Sequence, residues 1–175
     1  MITLKQLNRL RDEAYATACN KGFHDGKHSD EHYLMLVITE IAEAVQADRK
    51  GRRADRERYD YAVDRGMCND IEECFERYIK NSIEDELADI VIRLLDFCGM
   101  NGYSLDYLIT PEEYFMRDFT YFAWCLCRSI LNRNVELVVW SVIEYCKKHG
   151  IDILWHIERK MEYNRTRPRM HNAKY

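Results

Sequence analysis

SIEDELADIVIRLLDFC, residues 82–98, has the spacing of a helix apolar along one side. Ile83, Leu87, Ile90, Val91, Leu94 and Phe97 recur at steps of three and four, which brings them to one face at 3.6 residues per turn. Ser82 is suited to cap its start, and Gly99 is expected at its C′ end. Upstream, Ser29 or Asp30 predicts a helix from about Glu31 to Lys50, stopped by Gly51. Before it, Thr3 and Gln6 have the spacing of a capping box, and Leu4, Leu7, Leu10, Ala14 and Ala18 predict a first helix ending by Gly22.

Between residues 51 and 70 no clean period is found, so a long excursion is expected, followed by a short helix from Ile71 to Tyr78. Downstream, Thr110, Pro111 and Glu113 combine an N-cap, a proline at N1 and an N3 acid, predicting a helix to about Leu131. A further helix is expected after Asn134, ending near Gly150, and a last one from Asp152 that stops before Pro168. The fold class is all-α, a helical bundle with an inserted helical hairpin. The chain is expected to form one domain over 1–175, with insertions at about 52–74 and 110–150.

Composition supports a folded chain: of 175 residues 47% are hydrophobic and 32% charged, and two prolines and seven glycines leave room for long helices. A net charge of −4 gives no basic field for a nucleic acid polymer. Seven cysteines with no Cys-x-x-Cys pair point to reduced thiols and a cytoplasmic protein. No apolar leader opens the chain and no run is long enough to span a bilayer, so no membrane is expected.

Charge interrupts the apolar pattern at two places. On the 31–50 helix, Glu40 and Glu43 lie in or beside a second apolar stripe of Tyr33, Leu36, Ala44 and Ala47, which predicts that both are at least half-buried. No lysine or arginine stands three or four residues from either, so their repulsion has no local relief. Glu86 and Asp89 repeat the i, i+3 spacing on the 82–98 helix, where Arg93 is placed to pair with Asp89. Four carboxylates from two facing helices suit a hard cation such as Mg²⁺ or Mn²⁺, and the absence of a Glu-x-x-His removes the usual signature of a di-iron bundle. His24, His28 and His32 step by four, but Gly26 and Ser29 break the helix a histidine face would need.

VITEIAEAVQADRK (37–50) and SIEDELADIVIRLLDF (82–97) resemble the Glu-x-x-Glu and Glu-x-x-Asp motifs of the MazG-like all-α nucleoside triphosphate pyrophosphohydrolases. IERKMEYNRTRP (157–168) is similar to the basic C-terminal helix of one of their branches. The resemblance covers about half the chain. It implies that Glu40, Glu43, Glu86 and Asp89 bind Mg²⁺ (or Mn²⁺), that one of them doubles as general base, and that a water attacks between the α and β phosphorus to give a nucleoside monophosphate and pyrophosphate. It also implies a homodimer or tetramer. Two departures stand out: about forty residues separate the acidic motifs, more than is usual, and the 110–150 hairpin has no counterpart in minimal members. A helical core tolerates such lengthening, at about 0.6 kcal/mol per doubling of a loop.

Lys160, Asn164 and Arg167 share one side of the last helix and suit phosphate oxygens, with Lys80 a further candidate. Phe23, His24, Tyr33 and Tyr78 are the aromatics placed to meet a base. The alternative is a catalytically inactive helical nucleotide-binding or protein-interaction module that keeps the acidic core.

Overall fold

A computed structural model describes residues 2–106 and 118–172, of which His171 and Asn172 are described in backbone alone. Among the described residues there are eight α-helices, one 3₁₀ turn and no strand, so the all-α expectation holds. The helices are α1 (Leu4–Asn20), α2 (Asp30–Arg49), α3 (Arg56–Asp64), α4 (Ile71–Tyr78), α5 (Ile83–Asn101), α6 (Phe119–Leu131), α7 (Val135–Lys148) and α8 (Ile153–Thr166). None is long and apolar enough to cross a membrane.

Helix α5 is the centre. α1, α2, α7 and α8 all pack on it, and α6 packs on α2. Its apolar face, with Leu87, Ile90, Val91 and Leu94, meets Leu7 and Leu10 of α1, Val37 and Ile41 of α2, and Ile157 of α8 in one core. The predicted capping box is present at Thr3 and Gln6. Gly51 takes a positive φ just past α2, as a helix stop requires.

Four expectations are corrected. Helix α5 ends at Gly102 in the left-handed conformation, not at Gly99. Gly99 lies inside the helix where α1 crosses closest: a Cβ there would stand 2.6 Å from Tyr15 Cβ. The excursion at 51–70 is partly helical, since Asp55 caps α3, while α4, capped by Asp70, is the short helix expected from Ile71 to Tyr78. These two helices carry a smaller core of Tyr59, Ala62, Phe75 and Ile79 that is completed by Tyr163 of α8. Short helices with half their residues charged show little period, which is why α3 was not legible. Thr110 to Glu113 lie outside the described residues, within which α6 begins at Phe119 with Asp118 as its cap. Helices α6 and α7 are part of the main core through Phe122, Leu126, Val138 and Val142.

The fourth concerns the thiols. Cys68 and Cys74 form a disulfide, while the other five cysteines are free. The turn between α3 and α4 brings their Cα atoms to 5.7 Å, within the span a disulfide needs, and a spacing of six residues gives no hint of that turn.

Replacing glycine by alanine in an open helix gains about 1 kcal/mol. Gly99→Ala is expected instead to destabilise by about 1–3 kcal/mol, because backbone and Cβ of α1 cannot withdraw as a side-chain tip can. Urea unfolding measures it, and a stabilised variant contradicts the close α1–α5 approach.

Candidate functional site

The acids follow from how α5 begins. Ser82 caps it by accepting from the amide of Asp85, and Asp85 returns the bond by accepting from the amide of Asn81 at 2.8 Å. This reciprocal cap draws the first turn of α5 under its neighbours, burying Glu84, Asp85 and Glu86 together. Each then needs a partner. Glu84 accepts from Arg53 at 2.8 Å and from the amide of Ala54 at 2.9 Å. Asp85 accepts from Lys160 at 2.8 Å, and the same Nζ reaches Asp89 at 2.6 Å. Glu86 has neither ion pair nor hydrogen bond among the described residues.

Opposite stands α2. Oxygen atoms of Glu40, Glu43 and Glu86 come within 4.8 Å of one another. One Mg²⁺ coordination sphere is about 4.2 Å across, so small carboxylate rotations bring the three to a single ion. Glu40 is buried and Glu43 is exposed at the rim, so the expectation of two half-buried glutamates holds for Glu40 alone. Asp89 stands outside the triad, drawn toward Lys160. Arg93 does not pair with Asp89 but crosses to Glu40, Nε to Oε1 at 2.5 Å.

The charge balance shows in the pKa values. Burial, then Asp85 and Asp89, push Glu86 up to about 9, against a smaller opposing effect of Lys160. Glu40 is pushed up to about 7 by burial and by Asp89, with Arg93 opposing. Burial raises Asp85 to about 6 despite Lys160. Burial pulls Lys160 down, yet Asp89 and Asp85 outweigh it and hold the ammonium above its usual range. The triad carries more acid than the protein's own cations neutralise, which holds Glu40 and Glu86 above the usual carboxylate range.

The triad lies in a groove of about 320 Å³, within the range of small-ligand sites. Lys80, Lys160, Asn164 and Arg167 all line it. Their roles differ. Lys160 is held by Asp85 and Asp89, and Lys80 by Glu76 and the Tyr163 hydroxyl. The Arg167 guanidinium lies 5.7 Å over the Tyr163 ring with no ion pair among the described residues, and Asn164 Oδ1 is buried without a partner. These two are the polar groups left to a ligand. Phe23 and Tyr33 line the groove, His24 lies behind Tyr33, and Tyr78 packs with the α3–α4 core instead.

Sequence reasoning missed Asp85, Arg93's partner and Asp96. Asp85 had a signal, an acid three residues after a serine cap. Arg93 and Asp96 had none, since their partners come from other elements. Comparison with family models, with curated proteins and with solved structures finds no match to this chain.

Two outcomes follow from the charge balance. Lys160→Ala leaves two acids without their counter-charge and is expected to cost about 3–5 kcal/mol in urea unfolding. Glu86 in the fold, at about 9, lies above its ordinary value of 4.5, so the stability it contributes is complete below 4.5 and lost as pH rises toward 9. Without divalent cation, Tm falls by about 5 °C or more between pH 7 and 9. Glu86→Gln flattens that fall, and an unchanged slope contradicts a protonated Glu86.

Proposed function

We propose that the groove binds a nucleoside triphosphate together with Mg²⁺ (Mn²⁺ as substitute), and that the protein is a pyrophosphohydrolase of the MazG-like all-α type cleaving between the α and β phosphates. The observation that carries this is Glu86, a buried acid with no cation of its own, facing Glu40 and Glu43 across a groove of ligand size. Oxygen donors without thiolate or imidazole fit a hard dication. Bound there by Glu40, Glu43 and Glu86, the cation supplies charge neutralisation between the acids and a polyphosphate, polarises phosphoryl oxygens and acidifies water.

The protein's own groups have separable tasks. Glu86 gives up its proton when positive charge arrives. Glu43, exposed at the rim and free of ion pairs among the described residues, is placed to orient a water and take its proton. Arg93 neutralises part of Glu40, so the triad's formal charge of −3 is lowered to about the charge of one dication. Lys160 holds Asp89 away from the ion. From the far wall Arg167 donates to phosphate oxygens, while the buried Asn164 Oδ1 is an acceptor left for a donor group of the ligand. Large apolar side chains at Trp124 and Leu131, 69% and 75% exposed on α6, support assembly as a homodimer or tetramer.

One observation favours the second reading, a nucleotide-binding or interaction module without turnover. Asp89 is engaged by Lys160, so one of the four motif acids is withdrawn from the ion.

Pyrophosphate release from a panel of ribo- and deoxynucleoside triphosphates decides between them. Turnover is expected with Mg²⁺ and none with EDTA, and Glu43→Gln or Glu86→Gln lowers the rate by at least about 100-fold. Full activity in either variant overturns the assignment. Mg²⁺-dependent thermal stabilisation without turnover on any triphosphate selects the module.

A further inference from the structure

At the other end of the groove from the triad, three side chains that play no part in holding a cation form a chain of their own. Tyr33 precedes Glu40 by seven residues on α2, so both project from one face, about 10 Å apart along the axis at 1.5 Å per residue. Asp96 follows Asp89 by seven residues on α5. The two helices run in opposite directions here: Glu40 meets Arg93, whereas Tyr33, earlier on α2, meets Asp96, later on α5, through His24. The imidazole of His24 fills the space between, with Nε2 2.7 Å from Asp96 Oδ1 and Nδ1 3.3 Å from the Tyr33 hydroxyl. The Tyr15 ring meets it edge-on at 5.1 Å and fixes its plane.

Donor and acceptor roles follow link by link. A carboxylate only accepts, so a His24 ring with a single N–H carries it on Nε2, facing Asp96. Nδ1 is then an acceptor, and among the described residues the group facing it is the Tyr33 phenol. That phenol keeps its proton, since burial and the Asp96 charge both raise its pKa. With its O–H directed to His24, the oxygen has only lone pairs for the groove, which both Tyr33 and Asp96 line.

We infer that Tyr33 is a specificity-determining hydrogen-bond acceptor at the nucleoside end of the groove, selecting ligands that present an O–H or N–H donor there, with Asp96 and His24 as the positioning residues that fix its polarity. This rests on the triad being the polyphosphate end: 10 Å is the reach from a metal-held phosphate chain to the sugar and base. A ribose hydroxyl and a base N–H share the required chemistry. A ligand with an acceptor at that place meets lone pair against lone pair and is rejected.

The test uses the full chain with Mg²⁺ and α,β-methylene triphosphates, which bind without being cleaved. Titration calorimetry compares the tightest-binding nucleotide with its 2′-deoxy, 3′-deoxy and base-amine-deleted forms, for the wild type, Tyr33→Phe and Asp96→Asn. One deletion is expected to weaken wild-type binding by about 3- to 10-fold and to have no effect in Tyr33→Phe, and which deletion does so tells sugar from base. Asp96→Asn, whose amide can turn its NH₂ toward the ring, is expected to reduce the same discrimination while leaving the Mg²⁺ requirement unchanged. Imidazole ¹⁵N shifts of His24 in the wild type are expected to show the Nε2–H form. An Nδ1–H ring or a doubly protonated one, or donor deletions felt equally by wild type and Tyr33→Phe, overturns the inference while the triphosphate reading stands. Absence of Mg²⁺-dependent binding by every triphosphate overturns both.

Discussion

Taking an acid out of water costs several kcal/mol unless a counter-charge or a proton meets it. Helix α5 does so three times in its first turn, at Glu84, Asp85 and Glu86. The remedies organise the molecule. Glu84 captures Arg53 and the amide of Ala54, and so fixes where the chain leaves α2 and turns toward α3. Asp85 captures Lys160, and so fixes the rotation of α8 against α5. Glu86 captures nothing, and the groove forms where a partner is absent. Apolar packing sets which helices meet, and these acids set their azimuth.

The same constraint explains why Lys160 is not a free cation in the groove. Lys160 is 5% exposed, with its ammonium between two aspartates and near the faces of Phe75 and Tyr163. A lysine in such a place is secured by the acids' need as much as by its own. On the proposed reading, positive charge for a polyanion then falls to Arg167, whose guanidinium faces an aromatic ring and has no ion pair among the described residues.

The bundle was legible because its evidence is local. Caps at Thr3, Ser82 and Asp152, the stop at Gly51 and the 3.6-residue spacing on α5 each need only a few neighbours in sequence. Glu40 and Glu43 could be marked for the same reason, as charges in or beside an apolar stripe, whereas Glu86 was marked by its i, i+3 spacing with Asp89 and by the family resemblance. What could not be read is pairing at a distance. Arg93 is four residues from Asp89, and the local rule joins them. Its side chain instead takes Glu40, 53 residues away, because Asp89 has already been claimed by α8. The glycine stop went wrong by the same limit: Gly99 is required by the neighbouring α1, not by the end of its own helix.

The Nζ of Lys21 donates to the main-chain carbonyls of Arg165 and Arg167, at the end of α8. The first of those bonds closes a span of 144 residues, nearly the whole chain. Helices α1 and α5, with α2 between them in sequence, can meet while the C-terminus is still unformed, but the wall that carries Asn164 and Arg167 cannot. The groove is therefore complete only when the last helix is docked and the two ends of the chain are joined across it. The helix that closes the groove is also one that closes the core, through Ile153, Ile157 and Met161.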